Sequence, residues 1–230
     1  MKVKLISYFG GDWQIAKTAW ASTRKDGSEE DRDRVVTMNI NEVHKTPLET
    51  SWLVFLIECP IFVERQLDKY RMSQQLMFAP FGRFGITQNE LSMRYKKYDG
   101  DFYHFPEHLK SILKDDFVIF EQAYNEELQN QIEFYRKALT KIQHLPREEM
   151  TRVRDVLRGV LGTSFFTTMQ IQMNLSAFQH IINERLDDHA QVECQMIAQM
   201  MVEEVKTVPE FKVCIEKMIE VNKWNLSTLI

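Results

Sequence analysis

The apolar and polar positions predict a mixed chain that is β-rich early and helical late. A short strand is expected over residues 3–8. Trp13, Ile15, Ala16, Ala19 and Trp20 then recur at helical spacing over residues 13–24. The charged stretch 25–32, with Gly27 and Ser28, reads as a loop, and residues 33–43 as a short helix. Residues 50–59 are rich in Trp, Val, Phe, Leu and Ile, a buried strand that Pro60 closes. Pro60 suits the first turn of a helix reaching about Arg71. Pro80, Gly82 and Gly85 among three Phe predict a loop over residues 78–85. Residues 91–98 alternate as a strand would, and Asp99-Gly100 signals a turn.

Beyond Pro106 the period lengthens to that of helices. Residues 109–143 predict one short and one long helix, and residues 147–157 another. Residues 163–173 alternate and are β-rich, the last predicted strand. Helices follow over residues 175–185 and 189–205, and Pro209 opens a final one. No internal repeat or low-complexity linker interrupts the chain. This order predicts a single α+β domain over residues 1–230.

Composition narrows the classes. The 230 residues are 44% hydrophobic and 27% charged, ordinary for a globular protein. A formal net charge of −4 argues against a general nucleic-acid binder. The longest apolar run, Trp52 to Ile57, is strand length, far short of the roughly 20 residues that cross a bilayer. The first residues lack a signal-peptide pattern. Cys59, Cys194 and Cys214 are widely spaced, with no Cys-x-x-Cys pair, so neither disulfides nor a zinc site is expected. A reducing, cytoplasmic setting fits.

Several clusters could carry chemistry. Arg65, Gln66, Lys69 and Arg71 follow the buried strand; they form either an anion pocket or a solvated basic face. Arg65 and Lys69 are i,i+4 neighbours whose like charges favour a compensating anion. Glu90, Ser92 and Arg94 would share one strand face. Their carboxylate, hydroxyl and guanidinium could hold a nucleotide, or form the polar face of an edge strand. His180, Glu184 and Asp188 are spaced i, i+4, i+8, but no Glu-x-x-His pair completes a di-metal pattern, so no metal is expected. Asp187 or Asp188 could cap the following helix. The twelve Met residues read as core filler. Gly-x-Ser-x-Gly, P-loop and Gly-x-Gly-x-x-Gly patterns are absent.

Two segments carry a resemblance: Asn89-Glu90-Leu91-Ser92-Met93-Arg94-Tyr95, and Asn183-Glu184-Arg185-Leu186-Asp187-Asp188-His189-Ala190-Gln191. With Pro60-Ile61-Phe62-Val63-Glu64-Arg65-Gln66, and with His44, Thr46-Pro47 and Glu49 upstream, the chain resembles the flavin-dependent thymidylate synthases. The resemblance implies an α+β fold with a mostly antiparallel sheet flanked by helices and a helical C-terminal half. It implies a homotetramer with shared flavin sites, and reductive C5 methylation of the nucleotide dUMP. Methylenetetrahydrofolate would donate the carbon, reduced FAD the hydride, and NADPH the reducing equivalents.

By position in the motifs, it assigns Gln66, Glu90, Ser92, Arg94, Arg158 and Arg185 to the nucleotide, with Arg185 activating the base. His44, Thr46, Glu49, Lys69, Tyr70, Arg71, Glu90, Asn174 and His180 would line the flavin. Lys69-Tyr70-Arg71 stands where the family carries Arg-His-Arg, residues 72–85 form an insertion, and Ser176 replaces a frequent Arg. In a gapless register Arg83 falls near the triplet. These departures keep open a sister enzyme acting on UMP or a cytosine nucleotide, by methylation or hydroxymethylation. They also keep open a non-catalytic flavin- or nucleotide-binding protein.

Overall fold

The computed structural model describes residues 1–23, 26–41, 45–73, 86–90, 98 and 100–226, with side chains 69–73 and 86–87 excluded. Strand β1 (Lys2–Phe9) leads through two glycines into α1 (Asp12–Ala21) and α2 (Glu29–Asn41). A 3-10 helix (Thr46–Thr50) precedes β2 (Trp52–Pro60), α3 (Ile61–Ser73) and β3 (Ile86–Glu90). Then come α4 (Lys110–Leu113), α5 (Phe117–Lys141), α6 (Arg147–Leu157), β4 (Phe166–Asn174), α7 (Leu175–Arg185), α8 (Val192–Lys206) and α9 (Lys212–Asn222).

The strands form one mostly antiparallel sheet in the order β1-β2-β4-β3. The fold is α+β. β1 and β2 pair antiparallel from Lys2 opposite Glu58 to Phe9 opposite Trp52, with an irregularity between Leu5 and Ser7. There the Leu5 amide turns to the Glu204 carboxylate of α8, 2.8 Å away.

The described residues fall into two compact units. The first comprises Met1–Glu58, Val63–Asn89 and Thr168–Ile230. Its core lies on the face of the sheet bearing Leu53, Phe55 and Ile57 of β2 and Met169, Ile171 and Met173 of β4, all buried. Helices α1, α7, α8 and α9 add Ile15, Phe178, Ile197, Met201 and Met218, so several Met residues do fill the core. The second unit comprises Cys59–Phe62 and Glu90–Thr167. Its core gathers Tyr98, Phe102 and Phe165 against Leu128, Ile132, Tyr135 and Leu139 of α5.

Several boundaries differ from the sequence expectation, and Pro60 is the last residue of β2 rather than part of the first turn of α3. Helix α2 begins at Glu29, inside the supposed loop, because Ser28 and Asp31 cap each other: the Asp31 amide donates to Ser28 Oγ and the Ser28 amide to Asp31 Oδ2. A strand that the sequence did not lead us to expect runs over Ile86–Glu90, while the one expected at 91–98 lies, apart from Tyr98, outside the described residues. Strand β4 starts at Phe166 rather than 163, since Thr163 spends its carbonyl on the Phe62 amide of α3. Helix α8 starts at Val192 rather than 189, because Asp187 Oδ1 accepts from the His189 amide and closes a turn first. The Asp cap therefore serves that turn, not α8. The predicted loop at 78–85 also lies outside the described residues.

Candidate functional site

The first group of predicted residues gathers around the 3-10 helix Thr46–Thr50, with Pro47 in its first turn. Three residues per turn eclipse positions i and i+3, so Thr46 and Glu49 stand on one face. Both are exposed, while Leu48 is fully buried. The helix packs on α1, α2 and α7. Its C-terminal end is held firmly. Thr50 Oγ1 lies 3.1 Å from Thr18 Oγ1, the Ser51 carbonyl accepts from the Leu175 amide at 3.0 Å, and Ser51 Oγ accepts from the Gly11 amide at 3.0 Å. Gly10 and Gly11 adopt φ of 94° and 114°, and a Cβ at Gly10 would strike Ser51 Oγ, so this approach needs glycine.

Asn174 ends β4 and caps α7. Its Oδ1 accepts from the Ala177 amide at 2.8 Å, satisfying one of the donors that a helix start leaves open. The cap engages the carbonyl oxygen, so a ligand contact by Asn174 falls to its Nδ2. His180 is exposed on α7, one residue past the buried Gln179. Gln179 Oε1 accepts from Lys45 Nζ at 3.1 Å, and Lys45 Nζ also donates to the Ile40 carbonyl. Sequence reasoning missed Lys45; its signal was a lysine wedged between His44 and the Thr-Pro step. His44 lies outside the described residues. The 3-10 helix and α7 pack together, and between them they carry a hydroxyl, a carboxylate, an imidazole and an amide, donors and acceptors of the kind a flavin dinucleotide takes.

The second group joins α3 and α7. Arg185, in the last turn of α7, is half-buried, and its Nη2 donates to the Gln66 carbonyl of α3 at 2.9 Å. A cation suits a helix C-terminus, and the planar fork gives this one a fixed direction. Glu64 is buried and accepts from Gln88 Nε2 of β3, a pair that sequence reasoning also missed. Arg65 is exposed on the same helix. The backbone of Lys69, Tyr70 and Arg71 continues α3, while their side chains lie outside the described set.

Two further predicted residues belong to the second compact unit. Glu90 ends β3, and its Oε1 accepts from Thr167 Oγ1 of β4 at 2.7 Å. Arg158 opens a short 3-10 turn after α6. It is half-buried, and among the described residues its guanidinium makes no hydrogen bond or ion pair. Ser92 and Arg94 lie outside the described residues. Among the described residues no three His, Cys, Asp or Glu side chains cluster as metal ligands would, and no helix is long and apolar enough to cross a membrane.

Comparison with known proteins adds a family to this geometry. A family model described as thymidylate synthase complementing protein matches residues 4–209. A flavin-dependent thymidylate synthase of Thermosipho melanesiensis is 30% identical over 210 residues, spanning 85% of this chain and 81% of that one. A second, from Pseudothermotoga lettingae, is 26% identical over 210 residues, spanning 90% and 85%. Among solved structures, the UMP/dUMP methylase PolB from Streptomyces cacaoi bound with 5-Br dUMP superposes with a TM-score of 0.75 at 19% identity. That match covers 95% of this chain and 94% of PolB.

Proposed function

The chain belongs to the thymidylate synthase complementing protein family, whose relatives above are flavin-dependent thymidylate synthases, and we propose that it methylates dUMP reductively at C5 to give dTMP. Methylenetetrahydrofolate would supply the carbon and NADPH the reducing equivalents. FAD, when bound, would supply the hydride chemistry, leaving the protein to bind, orient and polarise.

The observation that carries this reading is the Arg185 to Gln66 hydrogen bond. It joins two residues that the resemblance assigns to the nucleotide, on segments 119 residues apart. With one prong on the Gln66 carbonyl, the guanidinium plane is set. A cation so placed stabilises negative charge at the uracil N3/O2 edge and thereby makes C5 nucleophilic. No protein nucleophile is needed in this scheme.

Within its own unit, Arg158 offers a phosphate group the planar two-pronged recognition that arginine gives. Glu90, Ser92 and Arg94 take the rest of the nucleotide in the same reading. Thr46, Glu49, Asn174 and His180 take the flavin, with His44, Lys69, Tyr70 and Arg71 beside them. The assembly is a homotetramer with flavin sites shared between subunits.

The test is a visible absorbance spectrum of the purified protein, followed by product analysis with dUMP, UMP and dCMP. A flavin band and dTMP from dUMP support the reading. A colourless protein that takes up no FAD and forms no methylated product overturns it. Light scattering checks the tetramer separately.

A second reading has one observation in its favour. PolB was also solved bound with 5-Br UMP, and superposes on this chain with a TM-score of 0.71. If UMP is turned over faster than dUMP, this chain shares that substrate.

A further inference from the structure

The 3-10 helix that presents Thr46 and Glu49 is only five residues long, too short to hold its own place. Its C-terminal end is fixed by Thr18, Leu175 and Gly11, as described. Its N-terminal end is tied, among the described residues, by the Lys45 side chain. We infer that Lys45 is a positioning residue of the flavin corner, clamping the end of α2 and the Gln179 side chain of α7 so that Thr46 and Glu49 face the cofactor from a fixed helix. This rests on the flavin assignment in the functional reading.

Three observations carry it. The Ile40 carbonyl belongs to the last turn of α2, where partial negative charge gathers and an ammonium is favoured. Gln179 is buried and immediately precedes His180, so the same ammonium ties the 3-10 helix to the turn of α7 that carries a predicted flavin contact. Lys45 is half-buried, and desolvation lowers its pKa below the usual lysine value. A lysine serving only solubility would stay hydrated; this one gives up water to make two directed bonds.

Lys45→Met keeps the apolar stem and removes the ammonium. Gln179→Leu removes the acceptor without touching charge. FAD affinity is read by titrating apoprotein against flavin fluorescence, beside the thermal midpoint and the FAD dependence of turnover. Each single variant is expected to weaken FAD binding about tenfold, the scale of one hydrogen bond to a charged group. The double variant is expected to lose no more than either single, since both act through one tie. The loss should appear in the FAD concentration needed for half-maximal turnover rather than in kcat at saturation.

Wild-type affinity in Lys45→Met overturns the inference. So do fully additive losses, or a loss of affinity that merely follows the fall in thermal midpoint. If Lys45→Met does not fold, Gln179→Leu decides alone on the same terms. A wild-type protein that binds no FAD fails at the earlier step and overturns the functional reading itself. A wild type that binds FAD while both variants match it overturns the role of Lys45 only.

Discussion

The β2–α3 and β4–α7 corners look alike in sequence and are built differently. Both strands are nine residues long, both bury alternate side chains in the same order, and both run into a helix with no intervening loop. At β4–α7 the helix start is satisfied locally, by Asn174 bonding the Ala177 amide. At β2–α3 the first amides, Ile61 and Phe62, donate to the distant carbonyls of Phe165 and Thr163. One corner is closed by its own residues and the other by chain about a hundred residues later. The local corner can be read from sequence; the other needs its partner in place. The same division runs through the site: α7 carries its groups on a self-capped helix and reaches across to α3 with Arg185.

The largest effect should come from the aromatic contact that joins β2 to α7. Phe55 and Phe178 are fully buried and stack with centroids 6.1 Å apart at 13°, and Trp224 meets Phe178 edge-on at 6.3 Å. Phe178→Ala leaves a cavity there and should cost about 3–5 kcal/mol in denaturant unfolding. A loss under about 1 kcal/mol would show that the site collapses and that the two elements are not rigidly coupled.

Next comes Arg185→Lys. The charge stays but the planar fork is lost, and with it the directed bond to Gln66. Turnover of dUMP should fall by about 10²–10³ while the protein folds and keeps FAD, since one directed donor to a developing anion is lost. Near wild-type turnover would reduce Arg185 to a clip between α7 and α3.

What could be read from the sequence follows that same local-versus-distant line. Helix α7 matched its expected bounds because an alternating strand ends on Asn174, a residue that favours the helix start. Helix α2 was expected too late because Glu29, Glu30 and Asp31 look like a charged loop until Ser28 is seen bonding Asp31. The strand at Ile86–Glu90 was not expected because this short, largely polar stretch has little alternation of its own, and pairing within the sheet decides. In the site, Arg185 was singled out only through the family resemblance, and Gln66 also through the polar cluster that follows β2. Lys45–Gln179, Glu90–Thr167 and Glu64–Gln88 were invisible, their partners lying 134, 77 and 24 residues apart. No periodicity links positions that only the folded chain brings together.

Asn174→Ala sharpens the comparison at its centre. If the residue is a cap alone, stability falls by about 1 kcal/mol and FAD affinity stays unchanged. The functional reading expects the same fall in stability plus weaker FAD binding, because Nδ2 is lost as well. Urea unfolding and FAD titration of one variant separate the two roles.

The smallest effect uses pH to set a third helix start against the Asn174 cap. Asp12 is buried, and its two carboxylate oxygens accept from the Val213 and Cys214 amides of α9 at 2.8 and 2.9 Å. Burial raises its pKa above the ordinary carboxylate value of 3.8, and outweighs the two amide bonds that pull it down. The folded chain therefore keeps this proton to a higher pH than the unfolded chain does. The stability contributed by Asp12 is complete below its unfolded value and declines as pH rises through its raised folded value. Asn174 cannot titrate, so the α7 start adds nothing in that window. Asp12→Asn should remove the decline, and thermal midpoints taken in steps from about pH 3.5 upward, starting near the ordinary carboxylate value of 3.8, should flatten relative to wild type. An unchanged profile would assign the titration to another group and leave Asp12 as a cap as indifferent to pH as Asn174.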